Sequence, residues 1–593
     1  MATKIKHLKD EEGKFYPYTH ESAVVTDDGT KLGDKLTQIG QELGEMDDDI
    51  EILNSLSAEE IEREKYRRMY LTIEALEEGT YFNVFKRTAP TIQRDIDLQY
   101  SLDNGVTWQK YTIPAAGQYG AKVNLSVGKK ILLKGNNPDG VNKCSCYYDS
   151  ALGSIKFTND FAIYLQCSGK AKAYGNIISL ISGDDYYEGV DKIPDGCFSR
   201  LFQQSTALVD VSGLYLHCYG NNSYVSTFAA CSSLVNTPKF PNSKLYDGSC
   251  AGMFLQCTSL KDVYELPVKD LSYCCYVQMF QKCSGLSVAP KMQIVKAEKC
   301  SCLSMYSECV NLTDASNIKI YGTSVLGFNG MFKSCTKLVN APELPAEMLA
   351  DYCYQYMFSS CSSLVNAPEL PAEMLADYCY REMFYNCASL ENAPKLPAKQ
   401  LAYACYGGMF YGCSSLESAP SLNAESLASN CYDKMFSNCT GLTQIPSLSF
   451  KHTSRSGCIK MFEGCINLVN APILKAKDVQ ESCYEGMFNG CSKLNKVGAE
   501  FVTFSSEGLA NWLNGVSPTG TFIMADDAEW NPEDHRGANG VPEGWTIERV
   551  TRELDADEKF AKLEARIAAI KESVETTGEP LHEESDKIMH HVM

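Results

Sequence analysis

The sequence lacks the long apolar segments that direct a chain into or across a membrane. No run approaches the length of about 18 consecutive apolar residues that a transmembrane helix needs, and no apolar stretch of a secretory signal follows the basic first residues. Positive charge is also scarce, because 54 Lys and Arg stand against 74 Asp and Glu, for a net charge of −20. Nucleic acid and anionic lipid surfaces require clustered Lys and Arg. We therefore expect a protein that folds in a cytoplasm, with no nucleic-acid partner and no membrane insertion.

Motifs of catalysis and metal binding are absent as well. The eight His residues form no His-Glu-x-x-His run, and the sequence has neither a Gly-x-Ser-x-Gly elbow nor a phosphate-binding Walker loop. There are 27 cysteines but no Cys-x-x-Cys, and the pairs Cys144/Cys146 and Cys300/Cys302 have no nearby His. We therefore expect no catalytic site, no cofactor and no metal site, and we interpret the protein as a non-enzyme.

What the sequence does have is a repeat. The dipeptide Met253-Phe254 recurs at steps of 26 residues as far as Met487-Phe488, and Met305-Tyr306 fills the one gap. Stepping backwards adds Thr227-Phe228 and Leu201-Phe202, which gives twelve registers without an insertion. An uninterrupted period is typical of a solenoid, in which each unit forms one coil and buries its apolar residues against the next.

The most complete unit spans residues 353–376, and residues 339–354 recur unchanged as 365–380, which indicates a duplication. Within the unit, residues 364–370 are bounded by a turn and predict a short strand that pairs with its copy at a spacing of about 4.8 Å. The segment from Cys to Phe at the start of the unit predicts a short helix or a 3₁₀ turn, and the spacing does not distinguish the two.

The cysteines follow the same period and fall into two rows. The first row comprises Cys231, Cys257, Cys283, Cys309, Cys335, Cys361, Cys387, Cys413, Cys439, Cys465 and Cys491, and the second Cys197, Cys275, Cys353, Cys379, Cys405, Cys431 and Cys483. Stacked equivalents point in parallel, whereas a disulfide needs converging Cβ atoms. We therefore expect ladders of buried, free thiols.

A tyrosine row is the candidate binding feature. Its members follow the second cysteine row and are Tyr354, Tyr380, Tyr406, Tyr432 and Tyr484, with Tyr276 as an earlier member. Aligned aromatic rings form platforms for sugars and for protein partners, but they equally form an interior wall of a coil with only the hydroxyl exposed. Tyr356 and Arg381 occupy positions that vary from coil to coil, and variation on a fixed frame is how repeat proteins acquire specificity.

Two heptad patterns flank the repeats. Apolar residues alternate steps of three and four at Leu36, Ile39, Leu43, Met46, Ile50 and Leu53, and again at Phe560, Leu563, Ile567, Ile570 and Val574. Such seams are typical of coiled coils, and Ile at both core positions favours three strands. The alternative is an amphipathic helix that docks on its own chain. We expect a homotrimer, with the first seam as the stronger candidate interface.

The region before the repeats is typical of strands separated by turns. Its strongest hairpin signal is Asn104-Gly105, within residues 101–108, a stretch that resembles the Asp-box of sialidases and other β proteins. An Asp-box stabilises a hairpin and is not itself catalytic. A sialidase-type carbohydrate-active enzyme, which would need several copies, is the least favoured interpretation.

The repeats resemble a known family. The runs Met-Phe-x-x-Cys-x-Ser-Leu and the links Ala-Pro-x-Leu-Pro-Ala, over about residues 201–500, resemble the BspA-type leucine-rich repeats of surface and adhesion proteins from Bacteroidales and other microbes. Residues 512–545 resemble the closing segment of such arrays. The resemblance implies a leucine-rich-repeat solenoid that serves display and adhesion.

The beginning of the chain resembles another class. Residues 14–20, Lys-Phe-Tyr-Pro-Tyr-Thr-His, followed by Ala23-Val24-Val25, resemble the virion-anchoring segment of fibre proteins from phages of Bacteroides-type hosts. This resemblance implies a virion fibre of the tail or head, attached to other virion proteins through its N-terminus. Its receptor would be a bacterial-surface glycan or protein. A bacterial cell-surface adhesin with the same repeats is the alternative.

These observations predict a β-rich (α+β) multidomain chain with a leucine-rich-repeat solenoid of twelve 26-residue coils, preceded by a β domain and flanked by coiled-coil helices. The predicted divisions are an anchor (1–31), a coiled coil (32–69), a capping β domain (70–196), the solenoid (197–511), a C-terminal cap (512–550), a second helix (551–577) and a tail (578–593).

Overall fold

The computed structural model describes residues 65–87, 95–158, 163–185, 192–216, 219–242, 244–448, 450–505, 507–551 and 556–577. The fold is β-rich, with a β-solenoid of about eleven turns and few helices. The anchor segment, the first heptad seam and the C-terminal tail lie outside the described residues. The predicted division into domains stays a prediction.

Two antiparallel sheets precede the solenoid. Their strands, with those of a separate hairpin, are β1 (Leu71–Ala75), β2 (Thr80–Lys86), β3 (Gln99–Ser101), β4 (Gln109–Lys110), β5 (Gln118–Tyr119), β6 (Val123–Leu125), β7 (Lys130–Lys134), β8 (Cys146–Asp149), β9 (Ser154–Phe157), β10 (Ile163–Cys167) and β11 (Ala171–Asn176). The larger sheet has the order β11-β1-β7-β3-β4, the smaller contains β10-β2-β5 with β6 on β2, and β8 pairs with β9. A short helix, α1 (Ser179–Ser182), follows.

The predicted hairpin at Asn104-Gly105 is confirmed. Strands β3 and β4 pair antiparallel around it, and both turn residues have positive φ, 59° and 92°. The Asp103 carboxylate accepts hydrogen bonds from the backbone N–H of Thr107 at 2.8 Å and from its hydroxyl at 2.5 Å. These bonds lower the pKa of Asp103 to about 2. The carboxylate thus holds its own hairpin together, as an Asp-box does.

The solenoid continues the larger sheet. Strand β12 (Leu208–Asp210) and strand β13 (Leu214–Tyr215) both pair in parallel with β11. The later strands are β14 (Asp270–Leu271), β15 (Met292–Ile294), β16 (Lys296–Ala297), β17 (Ile318–Ile320), β18 (Asn470–Leu474), β19 (Asp478–Val479), β20 (Lys496–Ala499), β21 (Thr503–Phe504), β22 (Gly520–Ala525) and β23 (Trp545–Val550). One apolar core extends from Tyr70 to Trp545.

Each coil is built around a run of tight turns, which we call the turn ribbon. The ribbon at the start of the most complete unit spans residues 351–360. Along the ribbon, backbone N–H groups alternate between donating to the next coil and donating within the ribbon itself. The N–H of Phe358 donates to the carbonyl of Met383 in the next coil at 2.9 Å, and that of Ser359 donates to Tyr356 within the ribbon at 3.0 Å. Every fourth residue, here Tyr352, Tyr356 and Ser360, has φ near +60°. The same alternation recurs from coil to coil.

Two local predictions were wrong. The Cys-to-Phe segment is neither a short helix nor a 3₁₀ turn, because a left-handed residue at every fourth position redirects alternate N–H groups to the next coil. The strand predicted at 364–370 is reduced to one bridge between Asn366 and Asn392. Pro368 and Pro371 supply no N–H to a ladder, although the equivalent segment near the C-terminal end of the solenoid, β18, is a strand that contains Pro472.

The interior of the ribbons holds a continuous stack of aromatic rings. Rings one coil apart, from Phe202 to Phe488, have centroid separations of 5.3–5.7 Å and interplanar angles of at most 11°. This slot is the one that defined the period in the sequence. The prediction that it forms the register of a solenoid is confirmed.

Beside the rings lies the first cysteine row. The thiol of Cys361 donates to the carbonyl of Phe332, 29 residues earlier, at 3.2 Å. The other members of the row make the equivalent bond at 3.0–3.2 Å. Every cysteine among the described residues is buried and free of a disulfide, so the prediction of buried thiol ladders is confirmed there.

At the C-terminal end, β18, β20, β22 and β23 form a parallel sheet. Trp512 is fully buried, and its indole N–H donates to the carbonyl of Gly540 at 2.7 Å. Helix α2 (Ala556–Thr577) follows and contains the whole second heptad pattern, within the helix predicted at 551–577. On it, Leu563 and Ile570 are half-buried.

The thiol ladders predict a steep loss of stability in alkali. Burial raises the pKa of Cys309 and of Cys387 to about 12, from an ordinary value of 9.0. The folded chain therefore holds these protons after the unfolded chain has released them. The free energy of unfolding should be constant below about pH 8 and fall between about pH 9 and pH 12, by roughly 1.4 kcal/mol per such thiol and pH unit.

Denaturant unfolding in excess reductant, followed by circular dichroism across this pH range, measures the effect. The lower part of the range serves as the internal control. A midpoint that does not change up to about pH 10 would show that the thiols titrate equally in both states.

Candidate binding surface

The tyrosine row singled out as a candidate platform lies inside the solenoid. Its members are at most 1% exposed, namely Tyr354, Tyr380, Tyr406, Tyr432 and Tyr484. Successive rings from Tyr354 to Tyr432 stack at 5.8–6.0 Å. The left-handed residues on either side, Tyr352 and Tyr356, turn the chain so that Cys353 and Tyr354 both point inward. The platform interpretation of this row is therefore wrong, and the rings form an interior wall, although the hydroxyls of Tyr354 and Tyr484, which were expected to be exposed, are buried as well.

A different set of tyrosines forms an aromatic surface on the outside of the ribbons. We call Tyr352, Tyr356, Tyr378, Arg381 and Tyr403 the tyrosine patch. The rings of Tyr352 and Tyr378 stack at 4.6 Å with an interplanar angle of 10°, and Tyr403 packs edge-on against Tyr378 at 5.1 Å. Tyr403 is 40% exposed and the other members are half-buried. Of the predicted site residues, Tyr356 and Arg381 thus belong to the surface.

Backbone bonds between coils fix the spacing of the patch. The N–H of Tyr352 donates to Asp377, that of Tyr356 to Arg381, and that of Tyr378 to Tyr403, at 2.9–3.0 Å. Because each member is held by the ladder that builds the solenoid, the rings are in position before any ligand arrives. Such preorganisation lowers the entropic cost of binding.

Cations and polar groups surround the rings. The guanidinium of Arg381 lies 5.6 Å from the ring centre of Tyr378, and the ammonium of Lys333 lies 5.1 Å from that of Tyr356. Burial and a hydrogen bond with Tyr403 raise the pKa of Tyr378 from an ordinary value of 10.0 to about 12. The amide of Asn430 donates to the Tyr403 hydroxyl at 3.0 Å.

Next to the patch, the ribbon of the following coil has Gly407 and Gly408 where its neighbours have side chains. A Cβ atom at Gly408 would lie 2.9 Å from Cγ of Glu382, whose side chain occupies that space. Beyond the gap, one carboxylate oxygen of Asp433 is buried without a hydrogen-bond partner, and burial raises the pKa of this group. A second, half-buried pair, Tyr385 and Tyr411, stacks at 4.6 Å.

A groove runs along another face of the solenoid, with a volume of about 980 Å³. Equivalent positions of successive coils form its walls, including Asp270, Lys296 and Met348, and Glu347 lies beside this row. Gly322 leaves a gap in this row, beside the exposed side chains of Tyr321 and Met348, the latter 75% exposed. The groove is the second candidate surface.

The sequence does carry a signal for the patch, which differs from the tyrosine row that follows the second cysteine row. Two of its tyrosines occur as Asp351-Tyr352-Cys353 and Asp377-Tyr378-Cys379, directly before the second cysteine row. Since a ribbon alternates inward and outward pairs, the residue before the cysteine faces outward. This outward orientation follows from the ribbon geometry, which the sequence does not reveal.

The predicted oligomer seam is described only in its second half. Residues Leu36, Ile39, Leu43, Met46, Ile50 and Leu53 lie outside the described residues. On α2, Phe560 is 62% exposed and Ile567 is 37% exposed, while Leu563 and Ile570 are half-buried. The second seam is helical as predicted. Its role as an interface stays a prediction.

Within the part of the chain that the structure describes, there is no group of three or more His, Cys, Asp or Glu side chains arranged to hold a metal ion. No described helix is both long and apolar enough to span a bilayer. No family model, curated protein or solved structure gives a match to this chain.

The buried tyrosine row leads to a prediction about stability. The hydroxyl of Tyr354 is buried without a hydrogen-bond partner. The Tyr354→Phe variant should therefore keep the wild-type free energy of unfolding or gain up to about 1 kcal/mol, because it removes a desolvated polar group and keeps the ring stack.

Denaturant unfolding of the full chain measures this difference. The Tyr354→Ala variant is the control for the stack and should lose about 3–5 kcal/mol. If Tyr354→Phe were destabilised by more than about 1 kcal/mol, the hydroxyl would have a partner in solution.

Proposed function

We propose that this chain is a structural fibre protein of a phage virion, on the tail or the head, that displays its solenoid to recognise the surface of a bacterial host. The observation that carries the proposal is the tyrosine patch, a partly exposed and preorganised aromatic surface on a rigid repeat frame. A chain whose most regular part presents such a surface is suited to adhesion. The virion setting rests on the resemblance of its first residues to fibre anchors.

In this proposal, twelve 26-residue BspA-type coils form the displayed part, between a capping β domain and a C-terminal cap. The parallel pairing of β11 with β12 supports the first cap, since it joins the preceding sheet to the first coil. At the other end, the ring of Phe501 packs on the buried indoles of Trp512 and Trp530. Both arrangements cover apolar coil ends that would otherwise be exposed.

The proposed assembly is a homotrimer held by coiled-coil seams, with the N-terminal segment bound to other virion proteins. The exposed apolar positions of α2, Phe560 and Ile567, support a partner for that helix. The acidic surroundings of the first seam leave one apolar stripe, which suits association with copies of itself.

The proposed receptor is a bacterial-surface glycan, with a surface protein as the alternative. Tyrosine rings stack on the apolar faces of sugars, and nearby Arg381, Glu382 and Asn430 offer donors and acceptors for hydroxyl groups. The coil spacing of the patch, about 5 Å, is similar to the length of one sugar unit. An extended glycan could therefore contact one aromatic position per coil.

Cell binding tests the patch. Tyr378→Ala and Tyr403→Ala should each reduce binding of the fluorescently labelled full chain to Bacteroidales cells by about tenfold or more, because a central aromatic contact contributes at least about 1.4 kcal/mol. Flow cytometry over a panel of strains measures the binding.

Two matched variants complete that experiment. Tyr354→Phe changes a buried tyrosine of the same coils and should bind as wild type. Tyr321→Ala removes an exposed ring from the groove and should also bind normally. Loss of binding in Tyr321→Ala alone would assign recognition to the groove, and equal binding of all variants would remove the patch from the proposal.

The oligomer is tested at the first seam. Leu43→Asp or Ile50→Asp should convert the trimer to monomers while the solenoid keeps its circular dichroism spectrum, because a charge at a core position faces its own copies. Sedimentation velocity measures the mass, with Glu45→Gln, outside the seam, as the control. A wild-type chain of monomer mass, or an unchanged profile in both variants, contradicts the trimer.

A further inference from the structure

Three cysteines outside both ladder rows meet on the outer face of the ribbons. Cys146 belongs to β8, whereas Cys274 and Cys300 occupy equivalent left-handed positions one coil apart, with φ of 52° and 60°. Together with Cys144 they lie in a small apolar cluster that is separate from the main core and that Tyr148 and Phe157 of the hairpin help to cover.

The hairpin β8–β9 is fixed over this row of outward positions. The N–H of Cys146 donates to the side-chain oxygen of Asn222 at 2.8 Å, and that of Tyr148 donates to the hydroxyl of Tyr273 at 2.9 Å. A Cβ atom at Gly248, the equivalent of Cys274 one coil earlier, would lie 3.4 Å from Cβ of Cys146. Cys146 therefore lies directly on the row that contains Cys274.

The geometry of this cluster differs from that of the ladders. Stacked cysteines of one row point in parallel, whereas Cys146 belongs to the hairpin that lies over the row, so it faces Cys274 from outside the row and is not stacked within it. Interactions with the thiols of Cys146 and Cys300 are the largest causes that lower the pKa of the Cys274 thiol. The remaining member, Cys144, instead donates to the carbonyl of Thr158.

We propose that Cys146 and Cys274 form a modification site, at which a small disulfide such as oxidised glutathione converts the two thiols into an intramolecular disulfide between the β8–β9 hairpin and the solenoid. The site rests on these contacts and is independent of the fibre function proposed above. Its thiols differ in arrangement from those of the two cysteine ladders.

The reaction balances with the small disulfide as the oxidant. The Cys274 thiolate attacks one sulfur of the reagent, forms a mixed disulfide and releases one glutathione thiolate, which takes up a proton. Cys146 then loses its proton and attacks the Cys274 sulfur, and the second glutathione leaves as a thiol. Two protein thiols are oxidised while one small disulfide is reduced to two thiols.

Cys274 is suited to the first step. Hydrogen bonds from the Cys146 and Cys300 thiols lower its pKa, and the ammonium of Lys299 acts in the same direction. The thiolate is the nucleophile in this chemistry. In contrast, burial raises the pKa of ladder thiols such as Cys361 and Cys387, that of Cys387 to about 12, so these two stay protonated and unreactive.

The reagent reaches the site by local opening of the hairpin. Strands β8 and β9 form a two-stranded sheet that pairs with no other described strand. Tyr147 and Leu152 on the hairpin are exposed. A small unit with few contacts opens at lower cost than the coils beneath it. Once formed, the bond closes a loop on the order of a hundred residues and stabilises the fold by constraining the unfolded chain.

The test uses the full chain, purified in reductant and then incubated with oxidised glutathione. Free thiols are alkylated, and intact mass with peptide mapping locates any bond. We expect one disulfide, between Cys146 and Cys274, and a thermal unfolding midpoint that rises on oxidation and returns to its starting value with dithiothreitol.

Single variants distinguish the partners. Cys146→Ser and Cys274→Ser should each abolish the bond and the rise in the midpoint, whereas Cys300→Ser should keep both. Cys361→Ser, in the ladder, is the matched control for loss of one thiol and should also form the bond. If one variant fails to fold, the other still tests the pair.

Three outcomes would overturn the proposal. They are a bond between Cys274 and Cys300, a stable glutathione adduct that Cys146 does not resolve, or no oxidation of the wild-type chain. Binding to cells by the reduced protein reports on the proposed function separately, so failure of one idea does not decide the other.

Discussion

The structure depends on one repeated constraint, which is that alternate N–H groups of each turn ribbon must reach the next coil. This alternation requires a left-handed residue at every fourth position, and most of those residues are not glycine. Each costs on the order of 1 kcal/mol. The bonds between coils, the aromatic stack and the thiol-to-carbonyl bonds beneath them offset that cost together, because all three recur at the same 26-residue step.

The same constraint sorts side chains between the interior and the surface. With left-handed residues at Tyr352 and Tyr356, residues Cys353 and Tyr354 point inward, and the outward positions are free to vary. The buried tyrosine row forms the inner wall. The outward positions of successive coils have the same backbone geometry and carry tyrosines, Arg381 or glycines. A surface of this kind is altered one coil at a time without disturbing the core. The hairpin β8–β9 uses it as a docking face.

The period, the aromatic slot, the thiol rows and the Asp103 hairpin were predictable from the sequence because each is a matter of spacing or of local turn chemistry. The turn ribbon was not predictable, since within one coil its buried apolar residues have the same spacing as those of a short helix. One sign of the ribbon was present in the sequence. The position directly before the first cysteine row is occupied by Ser360, Asn386 and Gly412 in three successive coils, and Gly and Asn tolerate positive φ. The cluster of Cys146 with Cys274 could not be predicted, because it joins positions far apart in the chain.

Every bond between coils links a residue to one in the next repeat, and none depends on how many repeats precede or follow. The identical segments 339–354 and 365–380 accordingly make equivalent backbone bonds to the coils that follow them, although they occupy different places in the solenoid. Copy number is a nearly neutral variable for this architecture, and the C-terminal strands stay paired even where the step is one residue shorter, as between Lys496 and Thr521. Recombination between whole coils can thus lengthen, shorten or reshuffle the displayed surface in one genetic step.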